Sequence, residues 1–117
     1  MTKKHQKLGR LRKRAEFLFV ANRQYGRYQA RPTVIVQIRP NLLREDGVNV
    51  GFTATKRIGN AVIRNRAKRR LRACAQELLP ANGKPGHDYV FIARETTPSA
   101  DWPDLIKDVE KALLRLA

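Results

Sequence analysis

Side chains able to carry out a reaction are scarce in this chain. Its histidines are His5 and His87 and its one cysteine is Cys74, so no set stands at metal-ligand spacing, and an internal disulfide or a cysteine-based zinc site is excluded. His87 beside Asp88 has the makings of a general base, but Gly86 before it and an apolar run after it read as a turn entering a strand. Glu45 and Asp46 would suit water-mediated Mg2+ contact, yet an acidic pair before Gly47 is ordinary loop chemistry. The expectation is no catalytic residue and no protein-held metal.

Positive charge, by contrast, is abundant. The 117 residues hold 25 Lys and Arg against 10 Asp and Glu, a formal +15, which points to a polyanionic partner, nucleic acid first. The densest block is residues 56–72, where Lys56, Arg57, Arg64, Arg66, Lys68, Arg69, Arg70 and Arg72 meet no acid. It opens at Gly59-Asn60, with Asn60 suited to cap a helix whose free N–H groups and dipole favour phosphate. Like charges at i, i+4 (Arg64/Lys68, Lys68/Arg72, Arg66/Arg70) destabilise a helix unless an anion relieves them, so a merely solubilising face is the weaker reading. Arginine forks suit bidentate phosphate contacts or base stacking, and the amides of Asn60 and Asn65 suit phosphate, 2′-OH or base edges. A second basic stretch covers residues 1–27, with Glu16 its only acid, and its beginning reads as a flexible basic arm over residues 1–10. From Glu95 onward acids outnumber bases, as in an ordinary solvated element.

The elements that must position these residues follow from periodicity. Residues 14–23 read as a short helix; 33–39 and 48–55 read as two strands of one antiparallel pair joined by a loop with turn residues. A helix runs from Asn60 to about Leu79, stopped by Pro80, with Ile63, Ala67, Leu71, Cys74 and Leu78 on its apolar face. Cys74 is therefore a core residue. Residues 88–94 form a buried strand, and a helix opening at Asp101 with Pro103 in its first turn presents Leu105, Ile106, Val109, Ala112, Leu113 and Leu116 to the core. The order α-β-β-α-β-α gives a two-layer α/β (α+β) sandwich, a single RNA-binding domain over residues 1–117. The basic start lacks the apolar stretch of a signal peptide and no run is long enough to span a membrane, so a reducing cytoplasm is expected and a membrane partner is not. Without a helix-turn-helix or zinc pattern, DNA is not expected either.

The segment KRIGNAVIRNRAKRR at residues 56–70 resembles the signature of the bacterial ribonuclease P protein component: Gly-Asn-Ala-Val, then Arg-Asn-Arg and a Lys-Arg pair running into a long basic helix. The strand VGFTAT before it, the basic start Arg10-Leu11-Arg12-Lys13, the first-helix motif Glu16-Phe17-Leu18-Phe19-Val20 and the element order extend the likeness over residues 10–117. The resemblance implies a fold like the second domain of ribosomal protein S5. It also implies an accessory subunit of an endoribonuclease, binding ribonuclease P RNA and precursor tRNA, while the RNA subunit, which holds most of the Mg2+, removes the 5′ leader. By position it assigns RNA binding to Lys56, Arg57, Asn60, Arg64, Asn65, Arg66, Lys68, Arg69 and Arg70. A leader cleft beside the first helix falls to Arg12, Lys13, Phe17 and Phe19. Many family members carry another aromatic where this chain has Ala21, which removes one stacking platform. A ribosomal or general structured-RNA-binding protein is the alternative.

Overall fold

The computed structural model describes residues 6–117; the first five, which include His5 and the start of the expected arm, lie outside the described residues. In chain order the elements are β1 (Leu8–Arg10), α1 (Arg14–Ala21), β2 (Arg27–Ala30), β3 (Val34–Pro40), β4 (Val48–Thr53), a 3₁₀ turn (Lys56–Ile58), α2 (Ala61–Asn82), β5 (His87–Ala93) and α3 (Trp102–Arg115). The strands form one mixed sheet in the order β1-β4-β5-β3-β2.

The pairing corrects one expectation. β3 and β4 are not partners, because β5 lies between them, antiparallel to β3 and parallel to β4. The physical reason is in β5 itself, which sends Tyr89, Phe91 and Ala93 to one face of the sheet and Val90 and Ile92 to the other. A strand apolar on both sides belongs in the middle. The connection from Pro40 to Val48 at ~3.3 Å per residue easily crosses one intervening strand, a step of roughly 10 Å.

Two strands were not expected at all. β1 and β2 are short, polar edge strands, LGR pairing parallel with β4 and RYQA pairing antiparallel with β3, and neither has an apolar alternation to betray it. Residues 8–10 are therefore part of the sheet and not of a flexible arm.

Helix ends are set by local chemistry. α1 stops at Ala21 rather than 23 because the Asn22 side chain accepts the N–H groups of Gln24 and Tyr25 at 2.9 and 3.2 Å, turning the backbone. α2 continues past Pro80 to Asn82: the proline gives up the one bond its missing N–H would make to the Gln76 carbonyl, and the Gly83 N–H closes the helix on the Leu79 carbonyl at 2.8 Å.

One face of the sheet carries α2 and α3 over a core that includes Val36, Ile38, Val50, Leu71, Leu79, Phe91, Leu105 and Leu113. Each fully buried side chain of this kind stabilises the fold by about 1.5–3 kcal/mol. Cys74 is part of this core, as expected, and burial pushes its thiol up to about 12. Among the described residues the opposite face carries α1 alone, whose Val20 meets Leu11 and Val90 with Phe17, Phe19 and Ile92 around them.

Candidate nucleic-acid interface

The start of α2 is built as its composition requires. The Asn60 side chain accepts the Ile63 N–H at 3.0 Å, so this asparagine is the helix cap. Ahead of it Gly59 holds φ at 149°, a region that favours glycine, and a Cβ there would lie 3.0 Å from the Ile63 side chain. The tight turn brings the 3₁₀ segment, with exposed Lys56 and Arg57, against the end of α2 where N–H groups are unpaired.

Along α2 the buried row Ala67, Leu71, Cys74, Ala75 and Leu78 turns the cations outward. Asn65, Arg66 and Arg69 are exposed. Arg64, Lys68 and Arg72, at successive i, i+4 positions on one flank, are half-buried, and the Arg72 guanidinium lies over the Phe52 ring at 5.8 Å. Nε of Arg64 and of Arg72 are buried without a hydrogen-bond partner. The ion pairs among the described residues, Arg31 with Asp108 at 3.7 Å and Arg44 with Asp88 at 2.9 Å, leave residues 56–72 untouched.

Arg70 stands apart from that row. Its guanidinium donates to the Thr97 carbonyl at 2.6 Å and to the Ala100 carbonyl, and it lies over the Trp102 ring at 6.0 Å. The fork is thus engaged within the fold, tying α2 to the loop before α3.

Around α1, Arg12 and Lys13 are exposed, and their backbone N–H groups both donate to Glu16 Oε1, at 2.9 and 2.7 Å. Those two bonds, that from Lys13 first, hold the Glu16 carboxyl below its ordinary value. Phe17 is half-buried against the sheet, where the absence of a side chain at Gly51 makes room: a Cβ on Gly51 would lie 2.5 Å from the Phe17 ring. Phe19 is stacked under Arg39, whose guanidinium carbon sits 3.7 Å from the ring centroid and whose Nη1 donates to the Phe19 carbonyl at 2.9 Å. Phe17 and Phe19 are therefore both committed in part to packing.

Two hollows flank α1. One of about 230 Å³ is bounded by Ala21, Arg27, Tyr28, Ile35, Gln37 and Ile92, and the short side chain of Ala21 leaves it open. The other, about 450 Å³, lies between Phe19, Tyr25, Arg39 and the exposed Leu42 and Leu43.

The Glu45-Asp46 loop is clamped by Arg44, which pairs with Asp88 and donates to the Asp46 and His87 carbonyls. Among the described residues no three His, Cys, Asp or Glu come together as a metal site. His87 sits at the start of β5 with Nδ1 2.8 Å from the Pro85 carbonyl, a turn contact. No helix of the described residues is long and apolar enough to cross a membrane.

A model of the family described as Ribonuclease P matches residues 5–117. The chain belongs to the ribonuclease P protein family. It is 50% identical over 111 residues to the ribonuclease P protein component of Caulobacter vibrioides, covering 95% of this chain and 72% of that protein. It is 46% identical over 108 residues to that of Ruegeria pomeroyi, covering 91% and 84%. The fold matches the solved RNase P protein of Staphylococcus aureus with a TM-score of 0.76 at 23% identity, covering 92% of this chain and 94% of that one. The RNase P protein from Thermotoga maritima matches with 0.76 at 24%, covering 92% and 97%. As a protein subunit of ribonuclease P, the chain is part of an endoribonuclease holoenzyme, partners ribonuclease P RNA and serves tRNA processing.

Sequence reasoning missed the stacking of Arg39, the setting of Gly51 and the place of Trp102. A glycine inside an otherwise alternating strand is a known mark of close approach, and Gly51 is the one of the three with such a signal.

Proposed function

We propose that the chain binds ribonuclease P RNA through the outer face of α2 and the 3₁₀ turn, and receives the single-stranded 5′ leader of precursor tRNA beside α1. The observation that carries this reading is the row of cations at Lys56, Arg57, Arg64, Arg66, Lys68 and Arg69, none paired with an acid among the described residues. Such a row is unfavourable in isolation and is relieved by phosphates. Asn65 adds an exposed amide between Arg64 and Arg66, while Asn60 contributes by capping the helix that presents them. Arg12 and Lys13 are exposed just before α1 and available to the leader's phosphates, Phe19 lines one hollow beside α1, and Phe17 holds the helix on the sheet at Gly51. Hydrolysis belongs to the RNA subunit, which holds most of the Mg2+, and the complex works in the cytoplasm.

Cleavage of precursor tRNA at low Mg2+ tests the proposal, comparing the chain alone, a bacterial ribonuclease P RNA alone, and the mixture. The expected result is cleavage at the 5′ junction in the mixture only. Cleavage by the purified chain alone would overturn the assignment of chemistry to RNA, and tight RNA binding without stimulation would favour a general RNA-binding role.

A further inference from the structure

Trp102, the one tryptophan of the chain, opens α3 and is 39% exposed. Helical spacing puts it on the same side as Leu105, Ile106 and Val109, which face the core, so the indole overhangs the end of that core beside α2. There it meets Arg70, whose guanidinium lies over the ring at 6.0 Å. Arg70 is not free to wander. Its fork is held by the carbonyls of Thr97 and Ala100, and Thr97 is fully buried with its hydroxyl on the Thr33 carbonyl at 2.5 Å. Trp102 is thus an exposed ring in a set position, with a fixed cation on it and Arg66 one helical turn before that cation. Asp104, two residues on, falls about 200° round the helix and away from α2.

We propose that Trp102 is a stacking site for an unpaired base of the bound RNA, next to the phosphate-binding row of α2. A flat aromatic surface beside a cationic track is the arrangement that binds unpaired nucleotides, the ring taking the base and the cations the backbone. The guanidinium, engaged by the carbonyls of Thr97 and Ala100, holds the ring in place from within the fold. This inference rests on the RNA-binding reading above.

A single tryptophan makes its emission a direct reporter. The full chain is titrated with ribonuclease P RNA, precursor tRNA and mature tRNA, and acrylamide quenching is compared before and after binding. Binding is expected to quench the emission and to shield the indole from acrylamide. Trp102→Leu is expected to weaken binding roughly 5- to 150-fold with an unchanged salt slope, since no phosphate contact is lost. Trp102→Phe should fall in between. Shielding by ribonuclease P RNA places the base in that RNA, and shielding by precursor but not mature tRNA places it in the leader. RNA bound at full affinity with the indole as open to acrylamide as before overturns the stacking site and leaves the function standing. Failure to bind any of the three RNAs overturns the function itself. Should Trp102→Leu not fold, the measurements on the unaltered chain decide alone.

Discussion

The two faces of the sheet are built differently. One is closed: α2 and α3 lay Leu71, Leu78, Leu79, Leu105, Val109 and Leu113 on the apolar sides of β3, β4 and β5. The other carries one eight-residue helix, and its buried cluster is Leu11, Val20 and Val90. Around α1 the sheet presents half-buried Ile35, Gln37, Arg39 and Ile92, and hollows open on either side of the helix. The closed face supplies stability and turns the charged side of α2 outward. The open face leaves room for a ligand because one short helix cannot cover it.

Core truncation tests the contrast most severely. Leu71→Ala on the closed face is expected to lower stability by about 2–5 kcal/mol, while Val20→Ala under α1 should lose roughly 1.6 kcal/mol for its two carbons, both read by urea unfolding. A loss at Val20 as large as that at Leu71 would show the α1 face to be packed as tightly as the α2 and α3 face.

The next test separates the cations of α2 from one another. Arg70→Ala is expected to cost about 1.5–3 kcal/mol of stability, because two charged hydrogen bonds to the loop before α3 are lost, and to leave the salt dependence of RNA binding nearly unchanged. Replacing Arg64, Arg66 and Arg69 together by Ala should leave the melting transition in place and flatten the slope of log K against log salt by about 2 to 3. A slope that responds to Arg70 and not to the other three would reverse their roles.

On the open face, Gly51→Ala drives a Cβ into the Phe17 ring, and overpacking of this kind costs about 1–3 kcal/mol. Displacement of α1 is expected to weaken binding of precursor tRNA more than of mature tRNA; equal weakening would separate that helix from leader recognition.

The smallest expected effect is a pH dependence confined to α1. Glu16 has its carboxyl held below 4.5 by the backbone N–H groups of Lys13 and Arg12, so its contribution is complete above pH 4.5 and lost as pH falls through the lowered value. Protection of the amides at the start of α1, corrected for the intrinsic exchange rate at each pH, should therefore fall at acid pH before the core opens, and Glu16→Gln should remove that early step.

Much of this was legible in the chain. The apolar spacing of α2 from Ala67 onward, Asn60 as its cap, the double-sided run of β5 and the opening of the last helix at Asp101 with Pro103 in its first turn are local patterns that the structure reproduces, whereas Ile63, expected on the apolar face of α2, is exposed. The basic signature at residues 56–70 located the candidate surface, because charge that meets no acid nearby in sequence remains on the outside of a helix with an apolar opposite side. β1 and β2 stayed hidden because three- and four-residue edge strands need no alternation.

What only the tertiary structure decided is which partner each side chain meets. Sequence placed β3 and β4 side by side; the sheet set β5 between them, since a strand apolar on both faces must be covered on both. Sequence grouped Arg70 with its cationic neighbours; the fold brought the carbonyls of Thr97 and Ala100 within its reach and made it a tie between α2 and α3. Periodicity is a property of neighbours along the chain, so it determined the helices, their faces and the sign of their charge. Strand order and the engagement of a guanidinium depend on residues far apart in sequence, and those were decided when the sheet and helices packed.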